Sequence, residues 1–165
     1  MASVLVPLAQ GCEELEAVTV VDLLRRAGID VVTAGLDDKP VRASRGVVLI
    51  PDTTLDEALK QQYDMVVLPG GLPGADHLDA DTRIRDLLVR MNETGRYTAA
   101  ICAAPRVLAG MGLLDGRQAT GFPGVLDHFA GIEYCADAVV QDGKIITSRG
   151  PGTAMDFALA LVEQL

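Results

Sequence analysis

The sequence holds no tryptophan, and aromatic residues make up only 4% of its 165 positions. With 49% hydrophobic residues, the core must therefore be aliphatic, built from Val, Leu, Ile and Ala. A basic surplus is also missing: 14 Lys and Arg stand against 23 Asp and Glu, a formal net charge of −9. That balance excludes the basic footprint on which non-specific nucleic-acid binding rests. Histidine is scarce. His77 and His128 lie far apart with no ligand pattern around either, so no metal site is expected. The cysteines, Cys12, Cys102 and Cys135, form no CxxC pair and cannot complete a disulfide framework. A reducing cytoplasm is the expected setting. No apolar stretch approaches the roughly 18 residues of a membrane span. The N-terminus, Met1 to Pro7, has no basic region before its short apolar run, so neither a signal peptide nor a membrane partner is expected.

What is present alternates between strand and helix. Apolar runs predict strands over Val4–Leu8, Ile29–Ala34, Met65–Leu68 and Tyr97–Ile101. Helical spacing predicts helices over Glu13–Ala27, Thr54–Gln61 (capped at Asp52 or Thr53), Thr82–Asn92, from Pro105, and over Thr153–Leu165. Val41–Ala43 and Val47–Ile50 read as a small antiparallel excursion through Ser44-Arg45-Gly46. Tyr134–Val140 and Lys144–Ser148 read as a hairpin around Asp142-Gly143. No repeat or linker interrupts the pattern, so one domain over residues 1–165 is expected. Its class is α/β, with a mostly parallel sheet covered by helices on both faces. In such sheets the site lies beyond the carboxyl ends of the strands.

Three loops reach that edge: Gln10–Glu16, Pro69–Gly74, and the turn at Cys102. The segment Ala99-Ala100-Ile101-Cys102-Ala103-Ala104-Pro105 hands a strand to a helix, and Pro105 suits the first helical turn, where a missing N–H costs nothing. Free N–H groups near the sulfur would favour a thiolate and lower its pKa. A buried structural cysteine is the alternative. Glu13, Glu14 and Glu16 open the first helix and are the acid candidates. Glu13 and Glu16 share a face while Glu14 points elsewhere. A carboxyl beside a thiolate must stay protonated, because two like charges repel in a dry site. The alternative is that all three simply favour the helix N-terminus. Gly70-Gly71 lets backbone approach a ligand, and a free N–H there, with that of Ala103, can hold a developing oxyanion. Arg25, Arg26, Arg45 and Arg149 are candidates for an acidic substrate or a subunit contact. Cys12 is a candidate resolving thiol if its loop approaches Cys102.

Four segments in the same order resemble the ThiJ/PfpI superfamily, in particular its deglycase branch: Ala99–Pro105, Leu68-Pro69-Gly70-Gly71, Gly11-Cys12-Glu13-Glu14-Leu15-Glu16 and Ser148-Arg149-Gly150-Pro151-Gly152-Thr153. The resemblance implies a flavodoxin-like sandwich with a nucleophile elbow, and a homodimer. It implies Cys102 as nucleophile, Glu16 as its protonated carboxyl partner, and Gly71 and Ala103 as N–H donors. Gly70 would shape the loop, and Arg45 would lie near the site. It further implies cofactor-free glyoxalase or deglycase chemistry on small dicarbonyls and on glycated amines or thiols, giving hydroxy acids. A second expectation is an oxidative-stress sensor or redox-regulated chaperone acting through sulfinate at Cys102. The peptidase and isonitrile-hydratase branches are disfavoured, because Ala103 rather than histidine follows Cys102. Phe122 stands where relatives carry a site histidine, so proton transfer falls to Glu16, with His128, placed inside a helix, as the substitute candidate. The sequence ends at Leu165, short of the last helix of longer relatives, which bears on the site rim and the dimer edge.

Overall fold

A computed structural model describes residues 1–165. Its strands in chain order are β1 (Ser3–Leu8), β2 (Asp30–Gly35), β3 (Val41–Arg42), β4 (Val48–Leu49), β5 (Thr53–Thr54), β6 (Met65–Leu68), β7 (Tyr97–Ile101), β8 (Gln118–Ala119), β9 (Glu133–Tyr134), β10 (Val139–Asp142) and β11 (Ile145–Ser148). The helices are α1 (Glu14–Arg26), α2 (Leu55–Ala58), α3 (Gly74–Ala80), α4 (Thr82–Glu93), α5 (Pro105–Gly110) and α6 (Ala154–Gln164), the last preceded by a 3-10 turn at Pro151–Thr153.

Seven strands form the central sheet in the order β10-β11-β7-β6-β1-β2-β5. All neighbours pair in parallel except β10 with β11, which form the hairpin at one edge. The alternation of side chains along each strand divides the core. Val4, Val6, Met65, Val67, Ala99 and Ile101 meet Val20 and Leu24 of α1 and Phe157 and Leu161 of α6. Leu5, Val66, Leu68 and Ala100 meet Leu55, Leu78, Leu88 and Leu108 on the opposite face, under α2 to α5. Each fully buried Val, Leu, Ile, Met or Phe among these contributes roughly 1.5–3 kcal/mol. The helix–sheet–helix layering follows from strands that are apolar on both faces. No helix is long and apolar enough to cross a membrane.

The expected loop runs from Pro69 to Pro73, and the helix that follows it, α3 from Gly74, is an element the sequence pattern did not indicate; it buries Ala75 and Leu78. Three expectations are corrected. The hairpin does not extend back to Tyr134. Its first strand begins at Val139, and Tyr134 instead pairs in parallel with Ala119 in a separate two-stranded sheet. Neither Asp52 nor Thr53 caps α2, which covers only Leu55–Ala58. Thr54 is its cap and accepts from Glu57 N. Asp52 is engaged elsewhere, because its carboxylate takes the N–H and hydroxyl of Thr33, each at 2.9 Å, and Arg25 at 2.7 Å. His128 lies in an exposed run of turns, not in a helix.

Candidate active site

Cys102 directly follows β7 with φ +64°, the one non-glycine residue at positive φ. Such a conformation costs about 1–3 kcal/mol and needs surrounding structure to hold it. Three contacts do so. Its N–H donates to Ser148 O on β11 at 3.0 Å, and its own carbonyl accepts the Phe122 N–H at 2.8 Å. The next turn closes when Ala104 N–H donates to Ile101 O, and Pro105 starts α5 as expected. The turn leaves the N–H groups of Gly71 and Ala103 without backbone partners, and both are directed at the Cys102 sulfur.

Cys102 breaks the β7 alternation: its positive φ keeps it on the α1 face with its neighbour Ile101, and there it meets Glu16. Glu16 is completely buried, and its Oε1 accepts the Gly70 N–H at 2.9 Å. Its Oε2 is buried without any hydrogen-bond partner, which suits a carboxyl that keeps its proton. Gly70 lies between the two. A Cβ at that position would stand 2.6 Å from Cys102 Cβ and 2.7 Å from Glu16 Oε1. At Gly71 (φ +88°) a Cβ would strike Glu13 N at 2.5 Å. Only glycine lets this loop press against both neighbours.

The three glutamates have three fates. Glu13 caps α1, its Oε2 accepting from Glu16 N at 2.9 Å. Glu14 reaches sideways to the β3–β4 turn, accepting from Arg45 N at 2.9 Å and Ser44 Oγ at 3.1 Å. Those bonds hold the Glu14 carboxylate below the usual range although burial opposes them. Glu16 alone faces the sulfur. A common dipole role for all three is therefore set aside.

Burial pushes Glu16 up to about 7. The Gly70 N–H opposes this, the charge of Glu13 adds to it, and the Cys102 thiol facing the carboxyl opposes it. Burial also pushes the Cys102 thiol up to about 12. The Glu16 carboxylate facing the sulfur adds to this, and the Gly71 and Ala103 N–H groups oppose it. The lowered thiol pKa expected from the turn is thus not what the site produces, because burial and a facing carboxyl outweigh two amide donors. The two groups cannot both be charged, and their titrations belong to the pair. The pair gives up its first proton near 7, and between that step and the upper one it holds a single negative charge, with N–H donors at both the sulfur and the carboxyl.

Of the residues expected at the site, Cys102, Glu16, Gly70, Gly71 and Ala103 come together. Arg45 does not join them: its backbone is bound to Glu14, but its exposed guanidinium has no hydrogen bond or ion pair. Arg25 and Arg26 are taken by Asp52 and Asp22, and Arg149 by Ala136 O. Cys12 is fully buried and is a free thiol, not joined to Cys102, and burial pushes its pKa up to about 12. Phe122 is 52% exposed beside the elbow, while His128 has no bond to Cys102. No group of His, Cys, Asp or Glu suits a metal ion. Sequence reasoning missed Phe122 N and Ser148 O, the two backbone partners that hold the elbow.

A model of the DJ-1/PfpI family matches residues 2–164. This chain belongs to the DJ-1/PfpI family. It superposes on the crystal structure of Drosophila melanogaster DJ-1beta with a TM-score of 0.96 and 45% identity, covering 99% of this chain and 90% of that one. The flavodoxin-like sandwich is thereby established. A Caenorhabditis elegans relative named glutathione-independent glyoxalase DJR-1.2 is 36% identical over 99% of this chain and 88% of its own length. Protein DJ-1 homolog B of Arabidopsis thaliana is 45% identical over 98% of this chain, which spans 37% of that longer relative.

Proposed function

We propose that this protein is a cofactor-free, cysteine-dependent glyoxalase and deglycase acting on reactive dicarbonyls and on early glycation adducts of amines and thiols. The observation that carries the reading is the buried Cys102–Glu16 pair with the Gly71 and Ala103 N–H groups aimed at the sulfur. The glyoxalase name of the nematode relative supports the reaction class.

In this reading Glu16 keeps the proton and Cys102 carries the shared charge. The thiolate attacks the aldehyde carbon of methylglyoxal, forming a C–S bond and an oxyanion beside the Gly71 and Ala103 N–H groups. Glu16 gives that oxygen its proton, yielding a hemithioacetal. The ionised carboxylate then takes the proton from the former aldehyde carbon and returns one to the neighbouring carbon. The hemithioacetal hydroxyl proton passes to the keto oxygen, so the keto group becomes an alcohol and the hemithioacetal a thioester, with no net oxidation. Water cleaves the thioester, releasing lactate and the thiol. The test is lactate formation from methylglyoxal by wild type and C102S. Loss of product is expected, and an undiminished rate overturns the reading.

The same donors favour a second role, as a redox sensor with chaperone output. Peroxide adds two oxygens to the Cys102 sulfur, and the amides with the protonated Glu16 carboxyl would bind the resulting sulfinate. Mass spectrometry after mild peroxide should show two added oxygens at Cys102 ahead of Cys12 and Cys135. Absence of that selectivity removes this role.

The protein is further read as a homodimer. Val18 and Val21 of α1 and Leu49 and Ile50 at the β4 end border an apolar cavity of about 340 Å³, and Leu15, Met155 and Leu159 stand exposed on the neighbouring faces of α1 and α6.

A further inference from the structure

At the opposite ends of the two strands that carry the site, a cavity of about 280 Å³ opens between the segment after α2 and the last turns of α4. Tyr63 lies just before β6 and Arg96 just before β7, whereas Gly70 and Cys102 follow the far ends of those strands. The cavity floor is apolar, made by Leu59, Leu87 and Met91. Its rim carries Lys60, Arg90 and Arg96, and no acidic residue lines it, in a chain of formal net charge −9.

Basic residues commonly gather at helix C-termini, where they offset the dipole and bond the last carbonyls. Here those carbonyls are already occupied. In α4, Arg90 O accepts the N–H and hydroxyl of Thr94, Met91 O accepts Arg96 N, and Asn92 O accepts Gly95 N. In α2, Leu55 O accepts Leu59 N, Glu57 O accepts Lys60 N, and Ala58 O accepts Gln61 N and the Tyr63 hydroxyl. The cations are therefore not needed as caps. The Arg90 guanidinium makes no hydrogen bond or ion pair, so all of its side-chain donors are free. Arg96 is oriented by Nη1, which donates to Asp64 Oδ1 at 2.8 Å and Tyr63 O at 3.2 Å, leaving Nη2 and Nε free. Lys60 is held only by an exposed contact with Glu57.

We propose that this cavity binds a small organic anion: a phosphate monoester whose flat apolar body rests on Leu59, Leu87 and Met91 and whose phosphate is gripped by Arg90 and Arg96. A guanidinium fork matches phosphate oxygens in pairs, and Arg96 is already fixed for that contact. The volume sits at the low end of small-molecule sites, enough for one ring with its anionic group. The site is separate from Cys102 and does not depend on the reaction proposed there.

The probe is phenyl phosphate, followed by amide NMR of the whole chain. Saturable shifts are expected at Gln62, Arg90 and Thr94. Hydrogen bonds to charged groups are strong enough that R90Q should weaken binding by at least about tenfold. Inorganic phosphate should bind more weakly than phenyl phosphate, and phenol should not bind. R90Q should keep wild-type melting and the wild-type alkylation rate of Cys102. Absence of saturable shifts, equal affinity in R90Q, or binding of phenol as tight as that of phenyl phosphate overturns the proposal.

Discussion

The Glu16 carboxyl and the Gly70 backbone N–H meet at 2.9 Å across 54 positions of sequence, and the Cys102 side chain packs against the same glycine. A methyl group at Gly70 would also stand 2.7 Å from Ile101 O, which is backbone and cannot step aside. G70A must therefore separate the carboxyl from the sulfur or shift the elbow. Displacements near 1 Å at a reacting centre cost about 100-fold. Dicarbonyl turnover in G70A is expected to fall by at least about tenfold, with the fold retained by circular dichroism. Wild-type turnover in a folded G70A protein would remove the requirement for this close contact.

The shared charge predicts how Cys102 reacts with pH. If Glu16 holds the proton, iodoacetamide alkylation should rise in a first step near pH 7, where the pair loses its first proton, and again near pH 12. In E16Q the facing negative charge is gone while burial remains, so a single transition is expected, below the upper step of the wild type. A wild-type profile with no step below the upper transition would place the charge on the carboxyl and sink the proposed role of Glu16.

Glu16 also links stability to pH. Its folded value, about 7, lies above the ordinary 4.5, so the folded protein binds this proton more tightly than the unfolded chain does. The stabilisation is complete below 4.5 and is lost as pH rises through 7. The difference corresponds to about 3 kcal/mol. Urea unfolding at several pH values should show wild type losing about that much relative to E16Q across this window. Parallel pH profiles for the two proteins would contradict a Glu16 carboxyl protonated by burial.

The strands of the sheet were legible because runs such as Met65-Val66-Val67-Leu68 are apolar on both faces and end at Pro-Gly punctuation. The elbow was legible for a related reason: Pro105 can only begin a helix, which places Cys102 on the turn before it. α3 was hidden because Pro69–Gly74 reads as a turn and only Ala75 and Leu78 of its apolar residues face inward. Tyr134 misled because strand propensity does not name the partner strand, and its partner, Ala119, lies in a loop-like stretch. The choice among Glu13, Glu14 and Glu16 needed tertiary contacts. Helical spacing separates their directions, but Ser44, Arg45 and Gly70 decide which neighbour each one finds. The direction of the thiol shift was out of reach for the same reason, since burial depends on the packed α1 face rather than on the turn.

The apolar face of α1 carries the last prediction. Val18 is 48% exposed and stands beside Leu49 and Ile50, with Leu15 half exposed one turn earlier. Contiguous apolar surface of this kind is costly to leave in water and marks an association face. A twofold contact through α1 would bury Val18 in both copies, so a single aspartate would introduce two facing charges into one dry interface. Light scattering of the wild type should give twice the 17.4 kDa chain mass. V18D should give the monomer mass at the same concentration, with its own core intact because Val18 does not contribute to it. A wild type that runs as a monomer, or a V18D protein that remains dimeric, would show that this face is not the subunit contact.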